Sequence, residues 1–348
     1  MKIKPTSYRY FCIVILILLS ACGTTPSATI PPTSSTVSPT SAAISVVVAT
    51  KLTPSPAEAK LWLDFDHPRL HEIVGDKPLI IDEFTRATYH DQEYVAVIVE
   101  TSDPIYRHEM LAFQITDSAP TLIYDLGPYY YLSFNVEEEK DPLWLYDGWR
   151  LKGSYGFRAL IENHLFLPIL ISYGGGNCYD CASMKLISIN EKGEAADITP
   201  YTNFTPKGFV EVGGVRFRVA ATQYYEWSYG ACDHVSSPFA FRLYGWNGKT
   251  YVDVSKNEKE FYDQKISELV SQLQETWRQP FHSCWAMPTL ANIFFDYESS
   301  GRAEYGWEQI KSLGDLSHWD IKNTPPEDLK THQEVFDELE QRLKAGKP

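Results

Sequence analysis

The chain has 348 residues and a formal net charge of −14, with 45 acidic and 31 basic residues. All 45 acidic residues but only 27 basic ones lie in residues 58–348, which are long enough for one large domain or two smaller ones. So negative a chain is not attracted to phosphate backbones or anionic lipid headgroups, which argues against nucleic acid as a partner and against membrane binding through charge.

Residues 1–21 have the order of a secretion signal. Lys2, Lys4 and Arg9 precede an unbroken apolar run, residues 11–19, which is too short to span a bilayer. A plain signal peptide and an N-terminal membrane helix are the alternatives to a cleaved lipoprotein leader.

The segment Leu19-Ser20-Ala21-Cys22 ends this leader with small residues before a cysteine. It resembles the lipobox of bacterial lipoproteins, in which the cysteine thiol is acylated and the chain is cut just before it. The resemblance implies that Cys22 is the lipidated first residue of the mature protein and that the membrane is its partner through this lipid. We therefore expect an extracytoplasmic protein, lipid-anchored to the cell membrane or outer membrane.

Residues 22–57 are predicted to be a disordered tether. Positions 23–56 are dominated by Thr, Ser and Pro and contain no acidic residue, so they cannot bury enough apolar surface to offset the entropy of ordering. Extended, such a chain reaches up to roughly 100 Å from its lipid. The β-prone stretch Ile44–Ala49 could dock on the domain, but its composition favours a solvated linker.

Residues 58–256 are predicted to form a β-repeat domain, because their apolar residues alternate in three sets of short segments. The predicted strands are 94–100, 110–115 and 121–126; 165–172, 184–189 and 195–198; and 215–227, 240–244 and 250–254. The Asn247-Gly248 pair is a strong hairpin signal in the third set. We expect a mainly β fold of repeated antiparallel meanders arranged like propeller blades, with a β-sandwich as the alternative.

The hairpin Tyr244–Ser255, with the sequence YGWNGKTYVDVS, resembles exported repeat proteins of the FG-GAP and VCBS type. The resemblance implies blade-like hairpins. The calcium loops of those repeats, of the form Asp-x-Asp-x-Asp-Gly, are absent from this sequence, so neither calcium nor another metal or cofactor is implied.

In residues 257–348 the spacing of apolar residues becomes that of a helix, and these helices are predicted to pack on the β domain. The apolar stripe of the first helix comprises Tyr262, Ile266, Leu269, Val270, Leu273 and Trp277. Asn257 and Glu260 are expected to cap this helix, Pro288 to open a second, and residues 327–344 to form the last. An exposed apolar stripe on the last helix would indicate a docking surface for a protein partner.

The folded part keeps four of the six cysteines: Cys178, Cys181, Cys232 and Cys284. An even number of cysteines outside the cytoplasm favours disulfides, although three pairings are open. Cys178–Cys181 and Cys232–Cys284 are preferred, because the second closes a long loop between the β and helical parts and contributes about 3 kcal/mol. A zinc site and a redox Cys-x-x-Cys pair are the alternatives.

The candidate ligand surface is an aromatic cluster that consists of Tyr224, Tyr225, Trp227 and Tyr229 with the nearby His234. Aromatic faces of this kind can stack on sugars, and His234 follows an aspartate whose charge can raise the pKa of the imidazole. The sequence contains no recognisable nucleophile, metal or cofactor motif.

Two classes of function follow from these observations. The first is a non-catalytic binding or scaffolding lipoprotein whose loops hold a protein or a glycan. The second is a lipid-tethered hydrolase acting on envelope or environmental glycans, with its carboxylates on distant loops. A shallow aromatic surface would support the first class, whereas two carboxyl groups about 5 to 10 Å apart in a deep cleft would support the second.

Overall fold

The computed structural model describes residues 48–52, 67–116, 120–134, 158–161, 164–172, 182–200, 202–213, 215–225 and 237–345. Within these ranges the chain forms fourteen strands, with one short helix between the first two and the other helices after the last, and the strands pair into three antiparallel sheets. The prediction of antiparallel meanders with helices at the C-terminal end is confirmed. The described strands form open sheets, and they do not show a closed propeller.

The three sheets follow one another along the chain. Sheet 1 contains β1 (Val48–Leu52), β2 (Ile81–Tyr89), β3 (Gln92–Glu100), β4 (His108–Ile115) and β5 (Pro120–Tyr129), paired in chain order. Sheet 2 contains β6 (Tyr131–Ser133), β7 (Arg158–Ile161), β8 (His164–Ser172), β9 (Ala182–Ile189) and β10 (Ala195–Asp197), with β6 and β7 both paired to β8. Sheet 3 contains β11 (Thr205–Val212), β12 (Val215–Tyr224), β13 (Phe239–Trp246) and β14 (Tyr251–Asp253).

The sheets stack face to face. Strands that are covered on both faces are apolar at consecutive positions and do not alternate with polar residues. All six residues from Tyr94 to Val99 in β3 are buried, because both faces of sheet 1 are covered. One face packs on a short helix, α1 (Pro68–Val74), and the other packs on sheet 2. The opposite face of sheet 2 joins sheet 3 and the C-terminal helices in the largest hydrophobic core.

The C-terminal part contains four α-helices: α2 (Lys259–Glu275), α3 (Ser283–Ser299), α4 (Ala303–Leu313) and α5 (Pro326–Ala345). The most buried of them is α3, which contacts β13 on one side and α2, α4 and α5 on others. Gly306 allows α4 to approach α3 closely, since a Cβ at this position would lie 2.4 Å from Cβ of Tyr297. The helices therefore continue the core of sheet 3.

The change from strands to helices falls between Asp253 and Lys259, at the predicted boundary. Within the segment predicted as a tether, Val48–Leu52 forms β1, an edge strand that pairs with β2, so the β-prone end of this segment docks on the domain. An edge strand presents unpaired backbone donors and acceptors, and the β-branched end of the linker satisfies those of β2. The leader and the rest of the tether lie outside the described residues.

The last helix does not present an apolar stripe to solvent. Val335 and Leu339 are fully buried, and Phe336 and Leu343 pack partly buried against the same core. The contacts of α5 are with α3 and α4. The exposed apolar stripe that would have indicated a docking surface is therefore absent from the described part of this helix.

Candidate ligand-binding surface

The predicted aromatic cluster is divided by the structure. Tyr225 is a packing residue: its ring stacks on Phe295 of α3 with centroids 4.5 Å apart, and the guanidinium of Arg342 lies 4.8 Å from the ring centre. Its hydroxyl donates to Oε1 of Gln223 at 3.3 Å, and burial raises the pKa of Tyr225. Phe295 covers one face of the Tyr225 ring, and the role of Tyr225 in ligand stacking stays a prediction.

Tyr224 remains half-buried beside the ring of Phe239, with centroids 5.5 Å apart, and 5.8 Å from Nζ of Lys207. The other members of the predicted surface, Trp227, Tyr229 and His234, lie outside the described residues. Their part in ligand binding stays a prediction.

Cys284, the second residue of α3, is disulfide-bonded. This confirms the disulfide expectation for Cys284 and removes it from the alternative zinc site. Cys178, Cys181 and Cys232 lie outside the described residues, so the pairing Cys232–Cys284 stays a prediction. Within the described ranges, no three His, Cys, Asp or Glu side chains are grouped as metal ligands.

A different aromatic surface lies at one end of sheet 1. Eight large apolar side chains are exposed in the part of the chain that the structure describes, and five of them occur together here: Ile80, Ile105, Tyr106, Tyr130 and Tyr131. The strand register explains the grouping: Glu100 pairs with His108, and His108 pairs with Tyr129. The end of β3, the start of β4 and the end of β5 therefore meet at one edge. We call these five residues the tyrosine rim.

The loop between β3 and β4 holds its part of the tyrosine rim in a fixed conformation. Oδ1 of Asp103 accepts hydrogen bonds from the backbone N–H groups of Ile105 at 2.7 Å and Tyr106 at 3.0 Å. These two bonds lower the pKa of Asp103, because they stabilise its carboxylate. Thr101 adds hydrogen bonds to Asp103 N–H and to the Tyr106 carbonyl. Ile105 and Tyr106, 62% and 50% exposed, are thus presented to solvent by an ordered turn.

His108 connects the loop to the two remaining tyrosines. Its Nε2 lies 2.8 Å from Oδ2 of Asp82, and its Nδ1 lies 3.2 Å from the Tyr130 carbonyl. The hydrogen bond to Asp82 is the main cause that raises the pKa of His108. The imidazole also packs edge-on against the Tyr131 ring, with centroids 5.5 Å apart. A histidine–aspartate pair thus stands directly beside exposed tyrosine rings.

A buried carboxyl group with a raised pKa belongs to a separate cluster under α1. Glu109 is 4% exposed, and burial is the main cause that raises its pKa to about 7. It is hydrogen-bonded to Asp125, and Arg69 binds both residues and also Glu72. Catalytic carboxyl pairs of glycosidases are about 5 to 10 Å apart across a substrate cleft, whereas Glu109 and Asp125 contact each other directly. This cluster therefore does not have the geometry of a glycosidase.

The chain matches no protein-family model and no curated protein. Among the helices of the described ranges, none has the length and apolarity needed to cross a bilayer. The assignment of a function therefore depends on the leader sequence and on the tyrosine rim.

Proposed function

We propose that this chain is a non-catalytic, extracytoplasmic lipoprotein that binds a glycan at the tyrosine rim. The anchoring part of the proposal is supported by the sequence Leu19-Ser20-Ala21-Cys22 at the end of a short apolar leader. The binding part is supported by one observation, the concentration of five of the eight exposed large apolar side chains at one end of sheet 1. Monomeric proteins rarely expose such side chains together unless the surface has a partner.

The composition of the tyrosine rim favours a neutral glycan. Tyrosine rings offer flat apolar faces to the C–H faces of sugars, and their hydroxyl groups stay hydrated. The Asp82 carboxylate beside them, held in place by His108, provides an acceptor for sugar hydroxyls, and the tyrosine hydroxyls provide donors. The negative net charge of the chain disfavours an acidic polymer. The alternative, a lipid-tethered hydrolase, gains no support from the Glu109–Asp125 pair and stays a prediction.

Alanine at Tyr106 or Tyr131 is expected to weaken glycan binding by roughly tenfold each, because each substitution removes one stacking face from the centre of the contact. The full chain, purified in detergent, is screened on an array of neutral oligosaccharides, and the affinity for the best ligand is then measured for each variant. Trp285→Ala is the control, since Trp285 is a similarly exposed aromatic residue on α3, outside the tyrosine rim. Equal affinities of the Tyr106, Tyr131 and Trp285 variants, or no binding on the array, would contradict the proposal.

Serine at Cys22 is expected to abolish lipid attachment, because a hydroxyl does not replace the thiol that is acylated. Cells expressing the wild-type chain and the Cys22→Ser variant are labelled with an alkyne analogue of palmitate, and the fractions are compared. We expect label only in the wild-type protein, with the variant lost from the membrane fraction. Cys12→Ser, inside the leader, is the control and should retain the label; label on the Cys22→Ser protein would refute the anchoring proposal.

A further inference from the structure

A cleft of about 870 Å³ lies between the end of sheet 3 and the helices α3, α4 and α5. Its lining includes four cationic side chains, Arg242, Lys256, Arg302 and Arg342, and three carboxylates, Asp253, Glu298 and Glu304. The lining therefore carries one more positive than negative charge, in a chain whose net charge is −14. The volume falls within the range of about 300–1,000 Å³ that is usual for sites of small molecules.

Ion pairs hold the three guanidinium groups of the cleft in place. Arg242 binds Asp253 at 2.8 Å, and Arg342 binds Glu298 through both Nε and Nη2. Arg302 binds Asp263, which does not line the cleft, at 2.6 Å. Held in this way, the guanidinium groups lose little conformational entropy when a ligand arrives.

Lys256 differs from the three arginines, because it forms no ion pair with any residue in the described ranges. Its stem lies over Gly301, where a Cβ would be 3.4 Å from Cγ of Lys256. Gly301 has φ +77°, a conformation that favours glycine. The ammonium group of Lys256 is therefore the cleft's cation that is not engaged in an ion pair with a described residue, although Glu304 lines the same cleft.

Several hydrogen-bonding groups around the cleft lack partners. Ser299 is 4% exposed, and its Oγ forms no hydrogen bond within the described part of the chain. The same holds for Nη2 of Arg302. Arg302 is also the N-cap of α4, and no side chain caps this helix. The first N–H groups of a helix carry a partial positive charge and readily bind anions, so the cleft combines a helix N-terminus with unsatisfied polar groups and a free lysine.

We propose that this cleft binds the phosphate group of a small phosphorylated molecule. A phosphate offers several charged acceptor oxygens, which match donors from Lys256, Ser299 and the start of α4 better than a single carboxylate does. Tyr305, 56% exposed, lines the same cleft and provides a ring face for the remainder of the ligand. The cleft is formed by the helical part of the chain and the tyrosine rim by sheet 1, so the two sites are independent.

The test uses the full chain in detergent and isothermal titration with three probes: inorganic phosphate, glucose 6-phosphate and glucose. We expect saturable binding of both phosphates and none of glucose at this site. Lys256→Gln should weaken phosphate binding roughly tenfold, which is the usual loss for one charged hydrogen bond. Lys322→Gln is the matched control, because Lys322 is an exposed lysine outside the cleft, and it should bind phosphate like the wild type.

Ser299→Ala provides a second variant, with a smaller expected loss, and circular dichroism verifies that each variant is folded. The proposal is overturned if neither phosphate gives a saturable signal up to about 10 mM. It is equally overturned if a folded Lys256→Gln protein binds phosphate as tightly as the Lys322→Gln control, since the phosphate would then bind elsewhere.

Discussion

Methionine in place of Lys265 is expected to lower the free energy of unfolding by roughly 3–5 kcal/mol, because it leaves a buried carboxylate without its counter-charge. Nζ of Lys265 lies 2.6 Å from Oδ2 of Asp296, and the two side chains are 7% and 0% exposed. The ammonium group is also 5.5 Å from the ring centres of Phe239 and Phe241. The pair joins α2 to α3 behind sheet 3, where water cannot replace either partner.

The magnitude follows from what the remaining partner loses. Burial raises the pKa of Asp296, and only the attraction and hydrogen bond of Lys265 act against that rise. Oδ1 of Asp296 already forms no hydrogen bond to any described residue, so the carboxylate depends on the lysine for its one strong contact. Without the lysine, Asp296 must either take up a proton or remain charged in an apolar core, and both outcomes favour the unfolded state.

Urea unfolding of three variants measures this effect. Lys259→Met removes an exposed lysine from the same helix and should change the stability by less than about 0.5 kcal/mol. The double variant Lys265→Met, Asp296→Leu removes both charges and should recover most of the loss, since apolar residues can replace a buried pair. A Lys265→Met protein as stable as the Lys259→Met control would show that the pair contributes nothing.

The strands that could be predicted from the sequence are those whose apolar side chains dominate their segment, such as β3 and β8. β2 was missed because two of its buried side chains are Thr85 and Ala87, and because its hairpin turns at His90-Asp91. Both turn residues have positive φ, 48° and 58°. A hairpin turn with this geometry is usually predicted from an Asn-Gly pair, which this segment lacks. β11 was missed because it contains Pro206 and Gly208; an edge position with bulges tolerates both.

The helix boundaries show where local sequence rules fail. Pro288 was expected to open a helix, but α3 begins at Ser283 and contains Pro288 in its interior. Asp328, from the distant helix α5, accepts hydrogen bonds from the backbone N–H and the hydroxyl of Ser283 and thereby caps α3. Asn257 does not cap α2, which begins after Glu258 without a side-chain cap. A cap supplied by another helix leaves no signal at the start of the helix that it stabilises.

The sequence and the structure indicate different aromatic surfaces for a related reason. Local aromatic density indicated Tyr224 and Tyr225, but density along the chain does not reveal that Phe295 covers the ring of Tyr225. Tyr130 and Tyr131 are adjacent in the sequence, and the antiparallel register brings the distant Tyr106 to the same edge of the sheet. The predicted meander already implied that residues after strand 94–100 and after strand 121–126 lie at the same edge. Combining register with aromatic positions would have indicated Tyr106 and Tyr130.

Between pH 5 and pH 8, Glu109 is expected to lower the free energy of unfolding by roughly 2–3 kcal/mol. Its pKa is about 7 in the folded protein against a reference of 4.5, chiefly because it is buried between sheet 1 and α1. Between these values the folded state holds a proton that the unfolded chain has released, so stability falls as the pH rises through about 7 and levels off about one pH unit above that value. The charged groups that face Glu109 are Arg69 from α1 and Asp125 from β5.

Glu109→Gln imitates the protonated acid, because an amide can donate to Asp125 and still accept a hydrogen bond from Arg69. Its unfolding free energy, measured in urea at pH 5 and at pH 8, should therefore decrease less over this interval than that of the wild type. Glu72→Gln is the control: it also removes a carboxyl that binds Arg69, but its side chain is 67% exposed, so the wild-type slope should remain. Histidines that titrate in this range contribute equally to all three proteins, so the difference in slope isolates Glu109. Identical slopes in the wild type and Glu109→Gln would mean that this carboxyl is already ionised at pH 5 in the folded protein.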